Sequence, residues 1–120
     1  MMEPILTVVP ARTTGSVTVL AAAGEIDHDS REVLSDAADA VLSEGCNRLV
    51  IDLTRVSFCD SGGLSLFLDL HKAAVAAGGS LRLAGAQPPV LAVVHATNLD
   101  RMLHLHDTVE DAVRASQAAG

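Results

Sequence analysis

The residue of this sequence that is best placed to take part in chemistry is Ser61. It lies where an apolar run ends and a helical pattern begins. Gly62 and Gly63 follow it and leave the backbone N–H groups of a first helical turn uncovered. Such a turn favours negative charge, because its free N–H groups and the helix dipole both point toward an anion. The corner is therefore suited to bind an anion or to carry one covalently. A serine at a helix start can also serve only as a capping residue.

Nucleophilic catalysis by Ser61 has little support in the sequence. A nucleophile elbow has the pattern G-x-S-x-G, and Cys59 occupies the place of its first glycine. No motif identifies an acid–base partner, and His71 is predicted on the inner face of the following helix. A P-loop is excluded as well, since its pattern is absent and Lys72 is the sole lysine. We predict that the protein is not an enzyme and uses no cofactor.

Metal-ligating residues are sparse. His104 and His106 would share one face of a short strand, but no third ligand accompanies them, which favours a surface strand. The polar turn at 27–29, Asp-His-Asp, lacks the spacing of a calcium loop and is interpreted as a helix cap. Cys46 and Cys59 are the only cysteines, and the apolar context of Cys59 predicts a small buried thiol. We therefore predict no metal site.

The composition is typical of one globular domain. The chain has 120 residues, of which 49% are hydrophobic and 19% charged, enough for one core and too apolar for disorder. A formal net charge of -7 disfavours binding to the phosphate backbone of a nucleic acid. With two Phe and no Trp or Tyr, the chain also lacks aromatic side chains on which bases could stack. The apolar stretches are shorter than a membrane span, and two cysteines favour a reducing compartment. We expect a single cytoplasmic domain over residues 1–120, with no direct nucleic-acid or membrane partner.

The first elements that would position Ser61 are a hairpin, a helix and a central strand. Runs 5–9 and 17–23 could pair in antiparallel fashion, with Pro10 ending the first run. Helical spacing and an Asp29–Glu32 capping box predict a helix over 29–45. The continuous apolar run at 49–51, followed by Asp52-Leu53, predicts a strand buried on both faces.

The second half of the chain continues the alternation of strands and helices. Residues 56–59 follow after a short break, and a helix from Leu64 to the Gly78-Gly79 pair comes next. Its predicted inner face consists of Leu64, Phe67, Leu68, His71 and Val75. A strand near 81–85, a helix that begins at Pro88-Pro89, a short strand at 103–106 and a terminal helix complete the chain. This order predicts crossover connections and a mixed sheet.

Several segments resemble the STAS domain, in order and over essentially the whole chain. Residues 24–27, Gly-Glu-Ile-Asp, are similar to the G-E-L/I-D turn of that family. The strand at 49–53 and residues 56–64, which end in Asp-Ser-Gly-Gly-Leu, are similar to its strand and D-S-S/T/G-G-L corner. Residues 96–103 resemble the ending of its third helix, with Asn98 where glycine is common. A stand-alone STAS domain of this length is most similar to a bacterial anti-sigma factor antagonist.

The resemblance implies an α/β fold, with a mixed sheet of four to five strands and about four α-helices packed mainly on one face. It also implies that Ser61 is phosphorylated by an anti-sigma factor that is a serine kinase, and that a serine phosphatase reverses this. The unphosphorylated protein would bind the kinase and release a sigma factor, and phosphorylation would abolish the complex. Asp27 matches a family aspartate that lies near the serine and contributes to partner binding.

The contact surface that the resemblance implies surrounds Ser61. It consists of Asp27, His28, Asp60, Gly62, Gly63, Leu64 and Ser65. Position 62 often carries Ser or Thr in the family, so Gly62 leaves Ser61 as the only hydroxyl of the corner and predicts a more flexible helix start. Two other readings stay open: a STAS module that binds a small anion or nucleotide at this helix start, and an enzyme with Ser61 as its nucleophile.

Overall fold

The computed structural model describes residues 4–118 as a five-stranded sheet with helices on both faces. Its strands are β1 Leu6–Thr14, β2 Val17–Ile26, β3 Arg48–Cys59, β4 Ser80–Ala84 and β5 His104–His106. Its helices are α1 Arg31–Ser43, α2 Ser61–Ala76, α3 Pro88–Ala96 and α4 Val109–Ala118, with a 3₁₀ turn at Leu99–Arg101. The strands lie in sequence order; β1 is antiparallel to β2, and the remaining neighbours are parallel. The predicted mixed sheet and order of elements are confirmed.

The core has two parts, one on each face of the sheet. Helices α1, α2 and α3 cover the larger part, in which Leu49 and Ile51 of β3 are fully buried. Helix α4 covers the smaller part, which contains Val50 together with Val17 and Val19 of β2. Because successive strand residues point to opposite faces, this alternation places α4 opposite the other three helices. Packing mainly on one face is thus confirmed.

Strand β3 is central and longer than its neighbour β4. Its first five residues, Arg48 to Asp52, pair with β4, whereas its pairing with β2 continues to Cys59. We predicted two separate runs here, but the structure has one strand with two irregularities in its register against β2. At each of them β3 carries an extra residue, as in a β-bulge, so the simple alternation of buried and exposed residues is lost.

Strand β1 continues beyond the point where we predicted its end. Pro10 was expected to terminate it, but pairing with β2 resumes after a register irregularity between Pro10 and Arg12 and reaches Thr14. An edge strand tolerates this residue, because the missing N–H can face away from the ladder.

The two helices next to the corner also differ from their predicted bounds. Helix α1 begins at Arg31 after the N-cap residue Ser30, so Asp29 is not the cap. Helix α2 begins at Ser61, and its buried residues are Gly63, Leu64, Leu66, Phe67, Leu70 and Ala74. Val75, predicted on the inner face, is 52% exposed. Apolar residues are so dense in this helix that two neighbouring stripes fit its pattern, and tertiary packing selects one of them.

The longest helix, α2, has 16 residues. None of the helices between residues 4 and 118 combines the length and hydrophobicity that crossing a bilayer requires.

Candidate functional site

Ser61 lies at the carboxyl end of β3, as the first residue of α2, and is exposed to solvent. The backbone N–H of Asp60 donates to the Ile26 carbonyl over 3.1 Å, which fixes the corner beside the end of β2. The Asp60 carboxylate caps the helix, since its Oδ1 accepts a hydrogen bond from the Gly63 N–H at 3.1 Å. Capping is thus the function of Asp60 and not of Ser61, whose hydroxyl is left at the surface.

The same carboxylate also holds the neighbouring turn. Asp60 Oδ2 accepts a hydrogen bond from the His28 N–H at 3.2 Å. One side chain therefore ties the start of α2 to the β2–α1 turn, residues 27–30. This contact brings the two sequence motifs, which are separated by more than thirty residues, into one surface.

Asp27 shapes that turn from within. Its Oδ1 accepts hydrogen bonds from the Asp29 N–H at 3.1 Å and from the Ser30 N–H at 2.8 Å. The Ser30 hydroxyl lies 2.8 Å from the same oxygen and 2.8 Å from the Glu25 carbonyl. The hydrogen bond from the Ser30 side chain, followed by that from its backbone, holds the pKa of Asp27 below its ordinary value. The geometry thus gives Asp27 a positioning role in presenting His28, which is exposed.

The two glycines of the corner are closely surrounded. A Cβ atom at Gly63 would lie 2.6 Å from Cys59 Sγ and 2.8 Å from Ile26 Cγ2, so this position excludes a side chain. A Cβ atom at Gly62 would lie 3.1 Å from Asp60 Oδ1 and 3.2 Å from the His28 Cα. The glycine at position 62 therefore accompanies a close approach of the turn to the helix. This packing argues against the flexible helix start that we expected.

The predicted contact residues meet in one place, but they differ in accessibility. Ser61, His28 and Ser65 are exposed, whereas Asp27, Asp60 and Gly62 are half-buried. Gly63 is buried, and the Leu64 side chain is 2% exposed and belongs to the main core. Gly63 and Leu64 therefore lie beneath the corner, where the Gly63 backbone and the Leu64 side chain are both buried.

One accessible residue beside the corner was missed in the sequence. Phe58 is 45% exposed, although it belongs to the central strand. No local signal in the sequence marks it, because its exposure follows from the register irregularity at Ser57.

Cys59 lies next to Gly63, beneath the corner. Burial, followed by the charge of Asp60, raises the pKa of the Cys59 thiol to about 12, and the side chain is 1% exposed. The predicted buried thiol is confirmed, and both burial and the raised pKa favour its protonated form. Arg82 Nη1 lies 3.1 Å from His106 Nε2. From residue 4 to residue 118, no three His, Cys, Asp or Glu side chains are grouped so that they could hold a metal ion.

Comparison with known proteins agrees with the motifs. A family model described as "Mlab, STAS domain" matches residues 9–110. The anti-sigma F factor antagonist of Paenibacillus polymyxa is 26% identical over 98 residues, which is 81% of this chain and 84% of that protein. A candidate anti-anti-sigma factor of Mycobacterium tuberculosis is 30% identical over 104 residues, which is 83% of this chain and 69% of that protein.

Solved structures show the same architecture. An anti-sigma factor antagonist from Mycobacterium paratuberculosis, 28% identical, has a TM-score of 0.78 and covers 98% of this chain and 99% of its own. The unphosphorylated form of the anti-sigma factor antagonist SpoIIAA has a TM-score of 0.79 over 93% of this chain and 97% of its own. At 23% identity, the second likeness shows the fold alone. The chain therefore belongs to the STAS-domain family of anti-sigma factor antagonists.

Proposed function

We propose that this protein is a phosphorylation-controlled antagonist that acts as a single STAS domain over residues 1–120 in the cytoplasm, where sigma factors work. In its unphosphorylated form it binds an anti-sigma factor that is a serine kinase, and a sigma factor is released. Phosphorylation of Ser61 ends the complex, and a serine phosphatase restores it. The observation that carries this proposal is the exposed Ser61 hydroxyl on a helix start that is already capped by Asp60.

The helix start can accept the phosphoryl group without refolding. A phosphoserine adds about -1.5 to -2 charge at neutral pH. Ser61 is the first residue of a 16-residue helix, whose dipole and free N–H groups stabilise negative charge at that end. Since the Asp60 carboxylate already takes the Gly63 N–H, the new anion would occupy the outer side of the turn.

A partner surface matched to the hydroxyl would lose contact with the modified protein. The exposed ring around Ser61, formed by His28, Ser65 and the half-buried Gly62, leaves room for a close approach. A phosphoryl group there introduces bulk and a charge that must be desolvated, and a loss of about 3 kcal/mol weakens binding about a hundredfold. The site thus supports regulation by a local change of charge.

The relatives support the same proposal. Their names describe antagonists of anti-sigma factors, and the structures of SpoIIAA include an unphosphorylated and a phosphorylated form. The nearby Asp60 and Asp27 carboxylates accept backbone hydrogen bonds, which gives both of them a structural role at the corner. Because the relatives are named as antagonists of anti-sigma factors, we propose a regulator without catalytic activity of its own.

The experiment that tests the proposal is phosphosite mass spectrometry of the protein isolated from its native cells, together with its Ser61→Ala variant. We expect phosphate on Ser61 in the wild type and an unmodified variant that stays bound to its anti-sigma factor. Ser61 without phosphate under every growth condition would contradict the switch. Calorimetric binding of a nucleotide to that unmodified protein would then favour an anion-binding module.

A further inference from the structure

The exposed aromatic side chain next to the proposed phosphorylation site, Phe58, belongs to neither part of the core. Six large hydrophobic side chains among the described residues are exposed: Ile5, Val9, Val33, Phe58, Val75 and Met102. Phe58 is the only aromatic one, and it precedes Ser61 by three residues. The other phenylalanine, Phe67, is completely buried. An exposed phenylalanine beside a regulatory residue is a typical anchor of a protein interface.

A register irregularity turns this side chain out of the core. Gly24 pairs with Val56, and the next residue, Glu25, pairs with Phe58, so Ser57 is an extra residue in β3. In a regular strand Phe58 would share the buried face with Val56. The extra residue exposes Phe58 and buries Cys59 in its place. Bulges of this kind redirect side chains next to functional sites.

The surroundings leave the Phe58 side chain uncovered. Its backbone pairs with β2 on one side, whereas the pairing with β4 on the other side ends at Asp52. Helix α4 packs over Val19 and Val50, which lie nearer the start of the strands. This end of β3 is therefore open on the face that carries Phe58.

The charges around Phe58 are mainly acidic. Glu25 is its cross-strand partner, and Asp60 follows two residues later. Asp27 and Asp29 lie in the turn that Asp60 holds through His28. Arg55 is the basic residue in this stretch of β3. A complementary surface would be apolar at its centre and basic at its rim, because opposite potentials face each other across interfaces.

We propose that Phe58 is the apolar anchor of the antagonist's complex, and that it enters an apolar pocket with a basic rim on the anti-sigma factor. This inference rests on the proposed function, since the partner is the kinase that Ser61 controls. In this proposal Phe58 supplies the binding affinity, and Ser61 controls whether the complex forms. The phosphoryl group on Ser61 would thus lie at the edge of the interface, and Phe58 would lie at its centre.

The test is calorimetry with the serine-kinase anti-sigma factor that co-purifies with the wild-type chain and is then produced in pure form. Phe58→Ala should weaken binding about 30-fold or more, as expected for an anchor residue. Phe58→Leu should retain most of the binding affinity that Phe58→Ala loses. Val75→Ala is the matched control, because Val75 is similarly exposed but lies near the end of α2, and it should change the dissociation constant less than twofold.

The outcomes separate this inference from the proposed function. If Ser61→Asp weakens binding but Phe58→Ala equals the wild type, the switch stands and the anchor is wrong. If Ser61→Asp equals the wild type while Phe58→Ala weakens binding, the anchor stands and the switch is wrong. If no serine-kinase anti-sigma factor binds the wild type, both fail.

The rate at which the chain associates with the anti-sigma factor should fall as the salt concentration rises. An association rate that does not depend on salt would contradict a basic rim on the partner.

Discussion

At the scale of single residues, the corner depends on side chains that hold backbone groups and on glycines that leave room for them. Asp60 bonds the Gly63 N–H with one oxygen and the His28 N–H with the other. Asp27 organises its own turn in the same way. Ser61 is exposed above this framework, so its modification need not disturb the hydrogen bonds that form it.

The two glycines give a matched pair of variants with different expected costs. Gly63→Ala should lower the free energy of unfolding by about 1–3 kcal/mol, because its Cβ would overlap Cys59 Sγ and Ile26. Gly62→Ala should be close to neutral, since a mild contact with the turn is offset by the higher helix propensity of alanine, worth about 1 kcal/mol. Urea unfolding measures both, with Ser65→Ala as the exposed control. Equal destabilisation by the two substitutions would contradict this packing.

The sequence allowed part of this site to be predicted. The Ser61 corner follows from local patterns, because a glycine pair after a strand and before a helix has few structural uses. The burial of Leu64 and the internal bonding of Asp27 depend on contacts between distant segments, which local patterns do not contain. Phe58 was missed because a bulge reverses the orientation that strand alternation predicts.

At the scale of elements, β3 determines where the site lies. It extends beyond β4 and delivers the corner to the end of β2, where Asp60 N–H meets the Ile26 carbonyl. The sequence predicted the elements and their order because apolar runs and turn residues are local signals. It predicted their ends less well: Pro10 is tolerated at an edge, and α2 contains two apolar stripes between which only packing decides.

The edge strand β5 gives a prediction for the pH dependence of stability. Burial, followed by the charge of Arg82, holds the pKa of His104 and of His106 below the ordinary value. Arg82 Nη1 donates to His106 Nε2, which requires a neutral ring. The unfolded histidines bind protons at a higher pH than the folded ones, so stability falls as the pH drops through about 6.5.

Urea unfolding at about pH 7.5 and about pH 5.5 measures this effect in a range where carboxylates stay ionised. We expect a lower free energy of unfolding at the acidic value, with a modest difference because both side chains keep solvent contact. A variant with His104→Gln and His106→Gln should show a flatter dependence. The same slope in the variant and the wild type would assign the effect to other groups.

At the scale of the whole molecule, the proposed switch is a change at the surface of a domain that keeps its fold. The sheet is packed on both faces, and Gly63 and Leu64 anchor the start of α2 in its main core. The protein has a formal net charge of -7, so a further anion on its surface changes its fold little but changes its fit to a basic partner strongly. We therefore propose that regulation acts at the interface, without rearrangement of the domain.

The measurement that tests this account most directly compares the unmodified chain with a chain that carries phosphoserine at position 61. Calorimetry against the purified serine-kinase anti-sigma factor gives the two dissociation constants, and amide spectra of both chains show whether the fold is retained. We predict binding at least about a hundredfold weaker for the phosphorylated chain, with spectral changes confined to residues near 26–30 and 58–65. Equal dissociation constants, or spectral changes throughout the sheet, would contradict the account.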